Sequence, residues 1–212
     1  SKYGAQHSQD WTAICSHIPG LKVVFPSTPT DAKGLMTSAL NGTDPVVFFE
    51  SQRVYGFGEE FNKDGVPVGH FEIPFGEPDV KKEGKDVTIV TIGAVLYRAM
   101  EAAKILEEKY GISAEVIKLG MVAPNSFRLC LESIQKTGKF IAAEEVCAAG
   151  CVGTSILSLS AANGLKLDRA KLLNLGNGIV PHGNIKELRR DTGIDAQTIV
   201  AAGMEMCSKA VE

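Results

Sequence analysis

The polar run Gly4-Ala-Gln-His-Ser-Gln-Asp10 holds the residue types best suited to chemistry. An imidazole titrates near neutrality, so His7 can take or give a proton under ordinary conditions. The run follows a glycine and opens a predicted helix, so its backbone amides could also face an anion or a reacting group. The plain alternative is that His7 caps that helix. A second pair, Glu144-Glu145, falls at the carboxyl end of a predicted strand, where open α/β sheets gather their chemistry. For this pair a structural role is favoured, capping or holding the Gly150 loop that follows. The other histidines, His17, His70 and His182, are dispersed. Cys147-Ala-Ala-Gly-Cys151 has no second Cys/His pair at metal spacing, so zinc is not supported. Gly176-Asn-Gly178 follows a predicted strand, but no third glycine falls at dinucleotide spacing and Pro181 interrupts the helix start.

The elements that must position these residues follow a repeating pattern. Asp86-Val-Thr-Ile-Val-Thr91 reads as a buried strand, and Ala94 to Tyr110 as a helix closed by Gly111. Ser113 to Leu119 is a second strand, Ser126 to Lys136 a helix ended by Gly138, and Lys139 to Glu144 a third strand. Strands alternating with helices imply a parallel sheet covered on both faces. Val87, Ile89, Val90, Val116, Ile117, Phe140 and Ile141 are therefore expected in the core. Gly150 to Ala162, Asn184 to Asp191 and Asp195 to Ala210 read as further helices, and Lys171 to Leu175 as a fourth strand. Asp195 is the expected cap of the last helix, with Ala196, Ile199, Val200 and Met204 facing inward.

Upstream, Ser8 to His17 is a predicted helix with Trp11, Ile14 and Cys15 on one face. Leu21 to Phe25 and Pro45 to Glu50 are strands, and Thr28 caps a helix that starts at Pro29 and ends near Asn41-Gly42. Two strands and two helices in about sixty residues are too few to close a doubly wound domain. Residues 1–58 are thus expected to be the last part of one, with an open sheet edge and apolar faces near Val23 to Phe25 and Val46 to Phe49. Residues 59–84, rich in glycine and proline, are expected to be a linker, with a turn at Val80 to Asp86, and 85–212 a second α/β domain.

Composition sets the outer limits. The chain has 212 residues, is 44% apolar and carries a formal net charge of -3. It is not basic enough to suggest nucleic acid, and no apolar run approaches the ~20 residues of a membrane helix. An odd number of dispersed cysteines, 5, fits reduced thiols and a cytoplasmic setting.

The run at 4–9, Ile18-Pro-Gly-Leu-Lys-Val-Val-Phe-Pro-Ser-Thr-Pro-Thr-Asp-Ala-Lys-Gly34, Asp44-Pro-Val-Val-Phe-Phe-Glu50 with Arg53 and Tyr55, and Gly84 to Thr91 closely resemble the beta subunit of thiamine-diphosphate-dependent 2-oxoacid dehydrogenases. The resemblance implies the tail of a pyrimidine-binding domain followed by a transketolase C-terminal domain. It also implies thiamine diphosphate and Mg²⁺ held mainly by an alpha-type diphosphate-binding subunit or segment, and an activating glutamate upstream of Ser1. His7 matches the family's active-site histidine, near the reactive carbon of the thiazolium, where a proton donor is needed by an alkoxide and later by transfer to lipoamide. Ala39, Leu40, Gly42 and Asp44 match a turn whose backbone carbonyls bind a monovalent cation, such as K⁺, in some relatives. The partners implied are that alpha-type subunit and a lipoyl acyltransferase, with a homo-oligomer formed through the C-terminal domain.

The stretch Asn174 to Leu188 with Thr192 to Ala196 is more similar to the end of 1-deoxyxylulose 5-phosphate synthase. However, that enzyme's acidic residue four before the histidine is Tyr3 here, and its phosphate-binding arginine falls at Phe49, which disfavours a sugar phosphate. A synthase or transketolase-type enzyme is one alternative, and a non-catalytic assembly or partner-docking module is another.

Overall fold

A computed structural model describes residues 8–208. His7, Tyr3 and the rest of residues 1–7 lie outside the described residues, as do residues 209–212. The order is α1 (Thr12–Ser16), β1 (Lys22–Val24), α2 (Pro29–Asn41), β2 (Val46–Phe48), a 3₁₀ turn at Gln52–Val54, β3 (Asp79–Lys82) and β4 (Val87–Ile92). There follow α3 (Val95–Tyr110), β5 (Ala114–Leu119), β6 (Met121–Ala123), α4 (Arg128–Thr137), β7 (Lys139–Ala143), α5 (Val152–Ala162), β8 (Arg169–Leu173), α6 (Ile185–Asp191) and α7 (Ala196–Cys207).

The larger sheet has the order β3-β5-β4-β7-β8, parallel except for β3. Alternation along β4 sorts its side chains between two layers. Val87 and Ile89 pack with Leu96, Ala99 and Leu106 of α3 and Ile199 of α7. Val90 and Ile92 pack with Ile134 of α4, Phe140 of β7 and Ile156 of α5. Helices on both faces explain why β4 and β5 are buried along their whole length, and all seven core residues expected from the strand runs are buried. Gly111 and Gly138 end α3 and α4 in the left-handed conformation, each at φ 66, where a side chain would be strained.

The smaller sheet, β2-β1-β6, changes the expectation for the first segment. After β5 the chain passes Gly120 and adds β6 antiparallel to β1. The free edge of β1 is thereby covered, and Val23 and Val24 are fully buried rather than presented as an apolar edge. β2 is left as the outer strand, and Val46 to Phe49 are half-buried. The junction is sealed by Phe25 N–H donating to the Gly120 carbonyl at 3.0 Å.

Other expectations are also corrected. Asp79–Lys82, expected to lie in linker and turn, is an edge strand on β5, and the turn is confined to the residues just after it. The helix expected from Ser8 has only five residues, and Trp11 and Ile14 on its supposed inner face are exposed. Met204 is 39% exposed, while Met206 is buried and Asp195 caps α7 as expected. The linker is not free of the body: Ile73 N–H donates to the Gly34 carbonyl, and the Ser38 hydroxyl to the Ile73 carbonyl.

Candidate functional site

Parallel β4, β7 and β8 run in register, so Thr91, Ala143 and Leu173 stand side by side near their carboxyl ends. The order β5-β4-β7-β8 reverses direction at β4, which makes the gap after β4 and β7 the crevice where such sheets usually bind ligands. Glu144 fills it. Its carboxylate, 3% exposed, accepts from the N–H groups of Val152 and Gly153, both at 2.8 Å. These are orphan donors of the first turn of α5, and an anion there is favoured by the helix dipole. A Cβ on Gly153 would meet Ala142 Cβ at 2.6 Å and Leu172 Cδ2 at 2.7 Å, so only glycine lets α5 come this close. Burial pushes the Glu144 carboxyl above the usual carboxylate value, and the two N–H donors partly oppose the shift. Of the two roles open to Glu144, the structural one is what the geometry shows.

Glu145 turns the other way. Arg98 Nη2 donates to it at 3.1 Å, while Arg98 Nε donates to the Ile194 carbonyl at 2.8 Å. Arg98 lies on the buried face of α3. Burial, then the neighbouring Arg189 charge, lower its pKa from the usual guanidinium value, against the pull of Glu145. The loop following Glu145 is stitched to the loop after β8 by Leu175 N–H to the Val146 carbonyl and Ala148 N–H to the Gly176 carbonyl, both at 2.9 Å. A Cβ on Gly150 would touch Ala13 Cβ at 3.0 Å, so α1 rests on this same loop.

The segment just after His7 therefore reaches the carboxyl end of the large sheet. Asp10 lies just before α1, accepting from Thr12 N–H at 2.8 Å and from the Thr12 hydroxyl. Its pKa is raised, by burial first and by the charge of Glu145 last. Asp10, Glu144, Glu145 and Arg98 are thus brought together, although they come from three separate stretches of chain.

His17 and His182 are exposed, and His70 faces Glu72 at 3.2 Å on the surface. Ala39 and Leu40 lie in the last turn of α2, Gly42 caps it, and Asp44 is exposed with its carboxylate 2.8 Å from Lys22 Nζ. Among the described residues no group of three or more His, Cys, Asp or Glu could hold a metal ion. Also among the described residues, no helix is long and apolar enough to cross a membrane. Arg98 and Arg189 were not singled out by sequence. A signal for Arg98 existed, because it falls three residues after Val95 and four before Ala102, inside the apolar stripe of α3.

Family models agree with this architecture. The transketolase C-terminal domain matches residues 76–199 and the transketolase pyrimidine-binding domain residues 2–57. The chain is 47% identical over 141 residues to acetoin:2,6-dichlorophenolindophenol oxidoreductase subunit beta of Cupriavidus necator, covering 66% of this chain and 40% of the relative. It is 34% identical over 209 residues to pyruvate dehydrogenase E1 component subunit beta of Rhizobium meliloti, covering 99% of this chain and 44% of the relative. It thus spans less than half the length of both. Among solved structures, a split-gene transketolase described as an inactive beta4 tetramer superposes with a TM-score of 0.75 at 26% identity, over 92% of this chain and 61% of that one. With the alternating sheet, the covered crevice and both domain matches in agreement, this chain belongs to the transketolase family, whose pyrimidine-binding and C-terminal domains it carries.

Proposed function

We propose that this chain is the beta-type part of the decarboxylating component of a thiamine-diphosphate-dependent 2-oxoacid or acetoin dehydrogenase. Residues 1–58 form the tail of the pyrimidine-binding domain, and a linker leads from there to β3, the first strand of the C-terminal domain. The observation that carries the reading is the 47% identity to the acetoin oxidoreductase beta subunit. The Glu144 plug supports it further: with the crevice of the large sheet filled by the chain's own carboxylate, chemistry is left to the segment around His7.

The described residues do not fit Mg²⁺, since no group of three or more His, Cys, Asp or Glu among them could hold a metal ion. The proposal therefore assigns the cofactor's metal and diphosphate to an alpha-type subunit, and routes no step through them here. His7 is the acid-base group at the oxygen of the former 2-oxo carbon, and a lipoyl acyltransferase is the next partner. The carbonyls of Ala39, Leu40, Gly42 and Asp44 are the proposed K⁺ ligands. A homo-oligomer through the C-terminal domain is in keeping with the tetramer of the structural neighbour, and a cytoplasmic location completes the proposal.

The test is reconstitution with the alpha-type subunit, followed by dye-linked oxidation of pyruvate, 2-oxoisovalerate and acetoin. Turnover of one of the three is expected. Turnover only of a ketose phosphate would move the chain to the transketolase or synthase class.

A further inference from the structure

A helix as short as α1 cannot hold itself, because nucleation costs more than a single turn of hydrogen bonds returns, so α1 lies where its neighbours put it. Its own start adds little: Trp11 at the N-cap makes no side-chain cap bond, and Trp11 and Ile14 are exposed. Thr12 is buried and Ala13 half-buried, so the inward side of the helix is narrow. Besides β1 and β6, α1 meets the loop between β7 and α5. There a Cβ added to Gly150 would stand 3.0 Å from Ala13 Cβ and 3.8 Å from Ala13 Cα. Gly150 is also left-handed, at φ 81, a conformation in which a side chain is strained.

The loop that carries Gly150 is tied along its length. Before it, Glu144 N–H donates to the Leu173 carbonyl at 2.9 Å, and after it the Glu144 carboxylate accepts from Val152 and Gly153. In between, Ala148 N–H reaches the Gly176 carbonyl at 2.9 Å, and Ala149 N–H reaches Asn177 Oδ1 at 3.1 Å. Backbone amides fixed in this way make a stiff support. It belongs to the carboxyl end of the large sheet, whereas α1 follows His7 closely in the chain.

We propose that Gly150 and Asn177 are positioning residues: they shape the support on which α1 rests, and through α1 they place the segment that carries His7. The role rests on the reading of His7 as the acid-base group. Gly150 supplies the close approach, since any side chain there would press on Ala13. Asn177 supplies the bond that holds Ala149, next to Gly150, to the loop after β8. A shift of about 1 Å at a reacting group can cost ~10²-fold in rate even when the substitution is remote, so one methyl at this contact is felt in kcat.

Two measurements on the complete assembly test the proposal. One is steady-state turnover of the 2-oxoacid or acetoin that the wild type accepts. The other is the emission of Trp11, the chain's single tryptophan, taken as the difference from a Trp11→Phe assembly. Gly150→Ala should shift that emission and lower kcat by roughly 10- to 100-fold, with KM nearly unchanged. Ala13→Gly in the same chain removes the facing methyl and should recover most of both changes. The strain of alanine at positive φ is untouched by Ala13→Gly, so a purely structural role gives no such recovery. Asn177→Ala should lower kcat in the same direction, and Asn177→Asp, which keeps an acceptor for Ala149 N–H, should recover most of the loss. If Gly150→Ala does not fold, the two Asn177 variants carry the test. A normal kcat, a loss that Ala13→Gly or Asn177→Asp does not recover, or an unchanged Trp11 emission overturns the proposal. Failure of the His7 reading looks different: His7→Ala would be near normal while Trp11 emission still responds to Gly150→Ala, which removes the role and leaves the support.

Discussion

Lys118 on β5 and Asp31 in the first turn of α2 form an ion pair in which the side chains are only 4% and 2% exposed. The pair joins the large sheet to the helix that packs on the small one. Asp31 also accepts from the N–H groups of Ser27 and Thr28, at 3.0 and 3.1 Å, and closes the capping box of α2 with Thr28. Removing one partner of such a pair strands a charge out of water, which typically costs 3 to 5 kcal/mol. Lys118→Met is therefore expected to destabilise the chain by about that much, less whatever the two backbone donors still supply to Asp31. Urea unfolding of wild type and variant measures it, and a loss below about 1 kcal/mol would show that the pair does not tie the two sheets together.

The second prediction concerns pH. Burial raises the pKa of Glu144 above its ordinary 4.5. A carboxyl whose folded pKa is raised adds stability while protonated, and that contribution is lost as pH rises from the unfolded value through the folded one. Glu144→Gln carries no titrating proton, so its stability should fall less than wild type's as pH rises from about 4 to about 7. The substitution also turns an amide N–H₂ toward one of the N–H donors of α5, at a cost of about 1 to 3 kcal/mol. Melting curves of the two proteins across that range check both effects. Parallel pH profiles would remove Glu144 from the titration.

How much of this was legible follows from how local each signal is. The large sheet was, because β-branched runs, helical spacing and terminating glycines at 111 and 138 all act within a few residues. β3 and β6 were not. Asp79–Lys82 and Met121–Ala123 are short, have little alternation, and become strands only because β5 and β1 offer edges to them across the fold. The same holds for Val23 and Val24, whose burial depends on β6. At the site, the competing roles of Glu144 were visible in its sequence context. The link from Arg98 through Ile194 to the backbone of Arg189 was not, since only the return of the chain past Ile194 makes it.

A third prediction is about cofactor binding. With no metal-holding cluster among the described residues, the isolated chain should show no micromolar binding of thiamine diphosphate with Mg²⁺ by titration calorimetry. Such binding would contradict the assignment of both to another subunit or segment.

The most direct test of the account compares His7→Ala and His182→Ala in the complete assembly, assayed with the 2-oxoacid or acetoin that the wild type turns over. A positioned proton donor typically contributes 10²- to 10⁴-fold, so His7→Ala should lower kcat by roughly that factor, about 3 to 5 kcal/mol of transition-state stabilisation. His182, exposed in the loop before α6, should be nearly neutral. A crippled His182→Ala beside a near-normal His7→Ala would contradict the account, and would make the synthase-like stretch from Asn174 to Ala196 the better guide to function.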